Sequence, residues 1–517
     1  MPRYSSAIRS ALRGPASTIP AAWPIAIALL CLTVIAPALW SGWLGDDAYY
    51  SALNGILGED RIALFHAMWH SFDVWLWGNG RFYPGLVVEK YLVFALFTNL
   101  IAYKALLVVA TIATVELFRR CVAAYATPWV ATLSALVAVT LLSERGYQDA
   151  ILAYNAMPQL VALATLGSML AFRRVLERGD RFAGALAIAL YAVAALTYED
   201  AYGFALLYAG LARCRGLSWA EAVRRSAPFL AIGAGLAVVS LALRSAVHLP
   251  PGSLYAFNAA PFDVLRTFTD QVTAALPLSY WFFDPSHIYS RANFFDFYNN
   301  APVQPLVFVA FAVATAKAIA ECRPQGIRLS HLAAFGAALT VLAAAPIALT
   351  VKYQHELHPG LGYLPVFFEA FGVALVLAAA AAWTLRQKYG RAAGIAWIVA
   401  IACVGTMTQA TNVRIVRENQ PSKAARRALE EQLDRGLLAN VPDGSALAVM
   451  PRFDWIVYDD AGPDGISTRG LFFLHGGKRI DLTAPGDARA TNALSYDSQT
   501  RRWTVTCVPS ARRPCGR

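Results

Sequence analysis

Eleven apolar runs, separated by connections whose charge alternates, leave this sequence few ways to fold. A helix needs about 20 mostly apolar residues to cross a bilayer. Runs of that kind lie near residues 22–43, 101–118, 128–143, 156–172, 183–198, 201–213, 226–245, 303–320, 331–350, 364–384 and 392–411. Arg3, Arg9 and Arg13 precede the first run. Arg119 and Arg120 follow the second. Every second connection after that is basic: Arg173, Arg174, Arg178 and Arg181, then Arg213, Arg215, Arg224 and Arg225, then Arg323 and Arg328, then Arg386, Lys388 and Arg391. The other connections carry only Arg61, Arg81, Lys90, Arg145, Arg266, Arg291 and Lys352. Lys104, Arg244 and Lys317 fall inside runs and count for neither side. Lys and Arg set membrane orientation, so the basic side is expected to be cytoplasmic. The N-terminus is then inside and residues 412–517 are outside. The first run lacks a small-residue cleavage site and reads as a retained span, not a removed signal.

Composition agrees. Of 517 residues, 57 % are hydrophobic and 15 % charged, against about 25 % charged in soluble domains. The net charge of +11 is accounted for by membrane orientation and calls for no nucleic-acid partner. The expected fold is an α-helical polytopic membrane protein with about 11 transmembrane helices and a small C-terminal α+β extracytoplasmic domain. Residues 1–21 form a cytoplasmic tail and 22–411 the transmembrane domain, with large outer loops at 44–100 and 246–302. In the outer segment 412–517, a helix is expected over 424–438 and strands at 446–450, 455–458, 471–474 and 503–507. Cys507 and Cys515 would lie in an oxidising compartment and are expected to form a disulfide.

The chemistry-bearing residues gather on the outer side. Asp46 and Asp47 follow the first run directly, with Tyr49 and Tyr50 after them. Paired carboxylates at a membrane boundary repel each other and are costly to keep there. They suit a general base toward a hydroxyl or a cation site; Asp46 also suits the cap of a helix starting near Ala48. Residues 62–77 have helical apolar spacing suited to the headgroup region, with His66, His70 and Asp73 on the other face. That face fits a metal site, a proton relay or a wetted surface. Arg81 leaves a Gly-Asn-Gly turn among aromatics, where a guanidinium can hold a phosphate in a bidentate fork or serve structurally. Arg145, Arg291, Lys352 and Arg266 are further cations. Glu199 and Asp200 share a short connection with Thr197 and Tyr198, which points them at a cavity. His355 and His358 lack a zinc-protease pattern. No P-loop, dinucleotide fingerprint or nucleophile elbow occurs.

These motifs resemble the GT-C superfamily of integral-membrane glycosyltransferases, in particular the GtrII-like glucosyltransferases of bacteria. Asp46–Tyr50 after the first span, Asn79–Phe82 later in that loop and Thr197–Asp200 carry the resemblance. It implies a polyprenyl-phosphate-linked sugar donor, an envelope glycan, lipid or protein acceptor, and a bacterial inner membrane with the C-terminus in the periplasm. It places the base at Asp46 or Asp47, with Asp47 preferred and Glu199 secondary. Arg81 becomes the donor-phosphate contact, backed by Arg145, Lys352 and Arg291. Tyr49, Tyr50, His70, Asp73 and Asp200 are expected to bind substrate, and Trp75, Trp77, Tyr280 and Trp281 to offer faces to sugar. A divalent metal cofactor is left open. The competing reading is a transporter or lipid flippase, which would show broken spans in matched halves.

Overall fold

The computed structural model describes residues 22–57, 61–145, 149–247, 249, 253–283, 303–321, 329–450, 453, 455 and 469–507. Each of the eleven apolar runs is helical. The helices are α1 (Ala22–Ile35), α6 (Leu100–Tyr125), α7 (Pro128–Thr140), α8 (Met157–Arg178), α9 (Arg181–Thr197), α10 (Ala201–Cys214), α11 (Trp219–Ala246), α14 (Gln304–Ala320), α15 (Leu329–Ala348), α17 (Val366–Thr384) and α18 (Gly390–Glu418). Among the described residues, seven segments are long and apolar enough to cross a membrane: α1 extended to Trp40, α6, α8 extended back to Tyr154, α11, α15, α17 and α18. Helices α7, α9 and α14 are apolar but shorter, and α10 has 14 residues. At 1.5 Å per residue, the 13 residues of α7 reach roughly 20 Å, less than a bilayer's hydrocarbon core. Every α7 residue from Trp129 to Thr140 is buried, so α7 forms the middle of the bundle.

Local signals start and stop these helices as the chemistry requires. Asn99, Thr127, Asp180 and Ser218 accept first-turn N–H groups of α6, α7, α9 and α11, satisfying donors that have no partner within the helix. Asn412 of α18 ties three runs together. Its Nδ2 donates to Val34 O at 2.9 Å and Leu142 O at 3.0 Å, and its Oδ1 accepts the Glu144 N–H at 2.7 Å.

The long loop after α1, expected on the outer side, folds into short helices: α2 (Asp46–Tyr50), α3 (Leu53–Leu57), α4 (Arg61–Asp73) continued by one π turn, and α5 (Pro84–Leu96). The second outer loop contributes α12 (Pro261–Ala274) and α13 (Ser279–Phe283), and α16 (Val351–Glu356) follows α15.

The C-terminal region is α+β. Helix α19 (Gln420–Asp434) leads into strands β1 (Ala446–Met450), β2 (Asp481–Thr483), β3 (Asn492–Asp497) and β4 (Arg502–Cys507), in sheet order β2-β1-β3-β4. Strand β1 is parallel to β2 and β3, and β4 is antiparallel to β3. The strand expected at 471–474 is instead part of helix α20 (Arg469–Gly476). A short apolar run does not declare its period, and here Leu471 and Phe472 are buried as neighbours while Phe473 and Leu474 are exposed. The strand expected at 455–458 falls mostly outside the described residues. Two apolar cores result. One fills the helix bundle. The other joins the outer loop to the C-terminal region: Trp43, Tyr50, Leu53 and Phe94 pack in one cluster with Leu429, Trp455, Leu471 and Trp503.

Candidate active site

The two aspartates sit in the first turn of α2, whose N-cap is Gly45, so Asp46 is not the cap. Gly45 has φ 52° and ψ −136°, backbone that a side chain would strain. Its freedom turns the chain sharply out of α1. The neighbours then part. Asp46 is exposed and Asp47 is fully buried. Asp47 Oδ1 accepts the Tyr154 N–H at 2.9 Å, and its Oδ2 accepts the Tyr103 hydroxyl. Tyr103 in turn accepts the Asn155 N–H at 2.9 Å, and the Asn155 amide donates to Glu89. Tyr154, Asn155 and Ala156 have φ of 66°, 45° and 68°. Three left-handed residues in a row are costly, and these bonds hold them. Burial pushes the Asp47 carboxyl up to about 7, with the buried Lys104 ammonium and the Tyr103 hydroxyl pulling the other way. Burial likewise holds Glu89 well above the usual range.

A second group surrounds Arg81. The π turn ends with the Arg81 N–H on Trp75 O at 2.9 Å. Gly80 has φ 65°, and a Cβ there would lie 3.1 Å from the Arg244 Cα. That close approach brings two arginines to one carboxylate. Glu199 accepts from Arg81 at 3.2 and 3.4 Å and from Arg244 at 2.9 and 3.0 Å. Burial alone would raise the Glu199 carboxyl, but Arg81 and Arg244 hold it below its ordinary value. The Arg81 guanidinium lies over Tyr83 at 4.4 Å, Tyr255 at 5.5 Å and Trp75 at 5.7 Å.

The second outer loop brings the remaining members. The Lys352 N–H donates to Leu254 O at 2.7 Å and the Val351 N–H to Ala256 O at 3.0 Å. This strand-like pairing seats Lys352 Nζ 5.7 Å from the Tyr255 ring and 6.0 Å from Tyr363. Tyr353 and Tyr363 pack at 4.5 Å. Burial above all holds the Tyr255 and Tyr363 hydroxyls up; the Asp46 charge acts on both, and Lys352 and Arg81 pull Tyr255 back.

The other expected residues are placed as follows. Asp200 is buried, and one of its carboxylate oxygens has no hydrogen-bond partner among the described residues. Burial and the Glu199 charge hold its carboxyl well above the usual range. Arg145 is engaged with backbone carbonyls: Leu361 O at 2.6 Å, Ala274 O at 3.2 Å and Ser143 O at 3.3 Å. Tyr50 is buried with its hydroxyl accepting from Lys90 Nζ at 2.6 Å, and Tyr49 is half-buried. His66, His70 and Asp73 are exposed on α4. Among the described residues no group of three or more His, Cys, Asp or Glu side chains comes together to hold a metal. Arg291 and Cys515 lie outside the described residues; Cys507 is disulfide-bonded. Arg244, Lys104, Tyr103, Glu89, Tyr255, Tyr353 and Tyr363 were not singled out by the sequence reading. For Lys104 and Arg244 a signal existed, because a charge inside an apolar run is functional by default. The tyrosines carried none.

No family model matches the chain, and no curated protein matches it. Among solved structures it is similar to ArnT from Cupriavidus metallidurans bound to undecaprenyl phosphate, with TM-score 0.41, 10 % identity, and coverage of 94 % of this chain and 98 % of that one. It is similar also to ArnT of the same organism in the apo state, with TM-score 0.35, 11 % identity, and coverage of 93 % and 96 %.

Proposed function

We propose that this chain is a membrane glycosyltransferase of the GT-C kind. It moves a sugar from a polyprenyl-phosphate donor to an envelope glycan, lipid or protein on the outer face of a bacterial inner membrane. One observation carries the reading: two cations, Arg81 and Lys352, lie 5.5 and 5.7 Å from the ring of one tyrosine, Tyr255, and the loop that supplies Arg81 also presents an exposed carboxylate, Asp46. Acceptor deprotonation needs a carboxylate and leaving-group stabilisation needs cations, beside a surface that packs against a sugar.

In this mechanism Asp46 takes the proton of the acceptor hydroxyl. The acceptor oxygen bonds to the anomeric carbon while the bond from that carbon to the phosphate oxygen breaks. The electron pair leaves on the lipid phosphate, which Arg81 and Lys352 stabilise. Asp47 has both oxygens occupied and no solvent access, so it fixes α2 instead of receiving the proton. Glu199 is the counter-ion that holds Arg81 and Arg244 in place; a carboxylate with guanidinium donors on both oxygens makes a poor base. The N-terminus lies in the cytoplasm and the C-terminal domain in the periplasm, as the basic connections require.

The test is envelope-glycan mass spectrometry of cells with the wild-type protein, with D46N and with R81A. The expected result is a hexose- or pentose-sized mass increment that is lost in D46N and reduced in R81A, with all three proteins inserted at equal level. An increment that persists in the D46N/D47N double variant would overturn the proposal.

A further inference from the structure

We infer that the C-terminal domain is a working part of the active site, and that Arg426 is the positioning residue through which it acts. The inference rests on the reading of Asp46 above. Helix α2 is five residues long, too short to hold itself, because nucleating a single turn is unfavourable. Its Ala48 carbonyl accepts the Ser51 hydroxyl at 2.8 Å, and Arg426, on α19, reaches both groups. Its Nη1 donates to Ala48 O at 2.9 Å and its Nη2 to Ser51 Oγ at 2.6 Å, while Nε is held by Glu430 at 2.9 Å. The guanidinium is buried, 5.8 Å from the Trp43 ring on the loop side and 5.9 Å from the Trp455 ring on the domain side. A planar fork fixed at all three nitrogens sets the orientation of the one turn that carries Asp46.

The rest of α19 anchors the entry to that turn. Gln420 Nε2 donates to Trp40 O at 2.9 Å and Lys423 Nζ to the same oxygen at 2.6 Å. A Cβ at Gly42 would stand 3.0 Å from the Lys423 Cβ. A Cβ at Gly55 would stand 2.1 Å from Gly470 O on α20. The outer loop is therefore gripped before and after α2 by the same C-terminal domain. Arg81, by contrast, is placed by α11 and the Glu199 connection. The domain thus controls the base side of the site and leaves the phosphate side alone.

The experiment uses the full chain in lipid nanodiscs and in membranes, with R426A, R426K and S51A. R427A is the control, because Arg427 is an exposed neighbour paired, among the described residues, with Glu431. Three quantities are measured: hydrogen exchange of peptides spanning residues 44–53, affinity for undecaprenyl phosphate, and initial transfer rate in membranes. R426A is expected to raise exchange in that segment and to lower the rate about 100-fold, the scale of a displacement of about 1 Å at a reacting group. Undecaprenyl phosphate affinity is expected to stay within about twofold. R426K and S51A should fall between, and R427A should match wild type. Should R426A fail to insert, R426K and S51A decide. Unchanged exchange in R426A overturns the clamp. Raised exchange with an unchanged rate overturns its functional role, as does an equal loss of lipid affinity. A wild-type protein that neither binds undecaprenyl phosphate nor transfers sugar overturns the proposed function instead, and the exchange measurement still decides whether the domain holds α2.

Discussion

Two adjacent aspartates with opposite surroundings set the chemistry at the residue scale. Asp47 is protonated in the fold at a pH where it is ionised in the unfolded chain, since burial moves it from 3.8 to about 7. Unfolding then releases a proton, so raising the pH favours the unfolded chain across that interval. Stability should be greatest below about pH 4 as far as this group is concerned, fall from there to about pH 7, and level off above it. In D47N this slope should flatten, measured by thermal unfolding in nanodiscs across pH 4 to 8; an unchanged slope would show that Asp47 is not the group. Asp46, exposed at the same turn, should be nearly neutral for stability on D46N substitution and costly for transfer, by about 100-fold or more. Glu199 behaves in the reverse way. E199Q leaves the buried Arg81 and the half-buried Arg244 without their shared counter-charge, and breaking a largely buried cluster of this kind costs about 3 kcal/mol. The expected readout is a lowered unfolding temperature that E199D restores in part.

Between residue and molecule stand the short elements that aim these groups. The Gly80 turn lets the chain pass within contact of the α11 backbone, and so seats Arg81 beside Arg244 on Glu199. G80A adds a left-handed strain of roughly 1 kcal/mol or more and a Cβ 3.1 Å from the Arg244 Cα. It should weaken undecaprenyl phosphate binding while leaving the exchange of residues 44–53 unchanged, because α2 is held from the other side. Gly85, at the start of α5, plays a matching part: a Cβ there would lie 2.5 Å from Thr197 Oγ1, so the helix after Arg81 rests against the end of α9 just before Glu199. Loops positioned by a rigid scaffold are where such sites form, and here the scaffold is the end of the bundle.

The whole molecule combines a buried bundle with an outer assembly built from segments far apart in sequence. The shared core of Trp43, Tyr50 and Leu53 with Leu429, Trp455 and Trp503 makes the first loop and the C-terminal domain one unit on one side of the membrane. That unit should react with reagents that cannot cross the bilayer. A cysteine placed at Ser498, exposed beyond the end of β3, should be labelled by an impermeant maleimide in intact spheroplasts. The exposed free Cys214 at the end of α10 should be labelled only after the membrane is opened. The reverse pattern would invert the topology and move the proposed site to the cytoplasm.

How much of this was written in the sequence follows from the range of each interaction. Hydropathy and charge are properties of contiguous residues, so the helical runs and the α+β character of the tail were legible, and Asp46, Asp47 and Arg81 could be named as candidates. Run length was less so: α7 reads as a span by hydropathy, yet ends after 13 residues. The partners of Asp47 and Arg81 were not legible, because Tyr103, Tyr154, Glu199, Arg244 and Tyr255 approach them only after helices from distant segments pack. Nor could spacing separate the two aspartates. Which of them meets solvent depends on the twist that Gly45 allows, in a turn whose Ala48 carbonyl is held by Arg426 from 378 residues further along. Local sequence therefore determined which chemical groups this chain displays and which run is helical. Tertiary packing alone decided which groups face each other, since burial and ion pairing are set by atoms that chain order does not bring together.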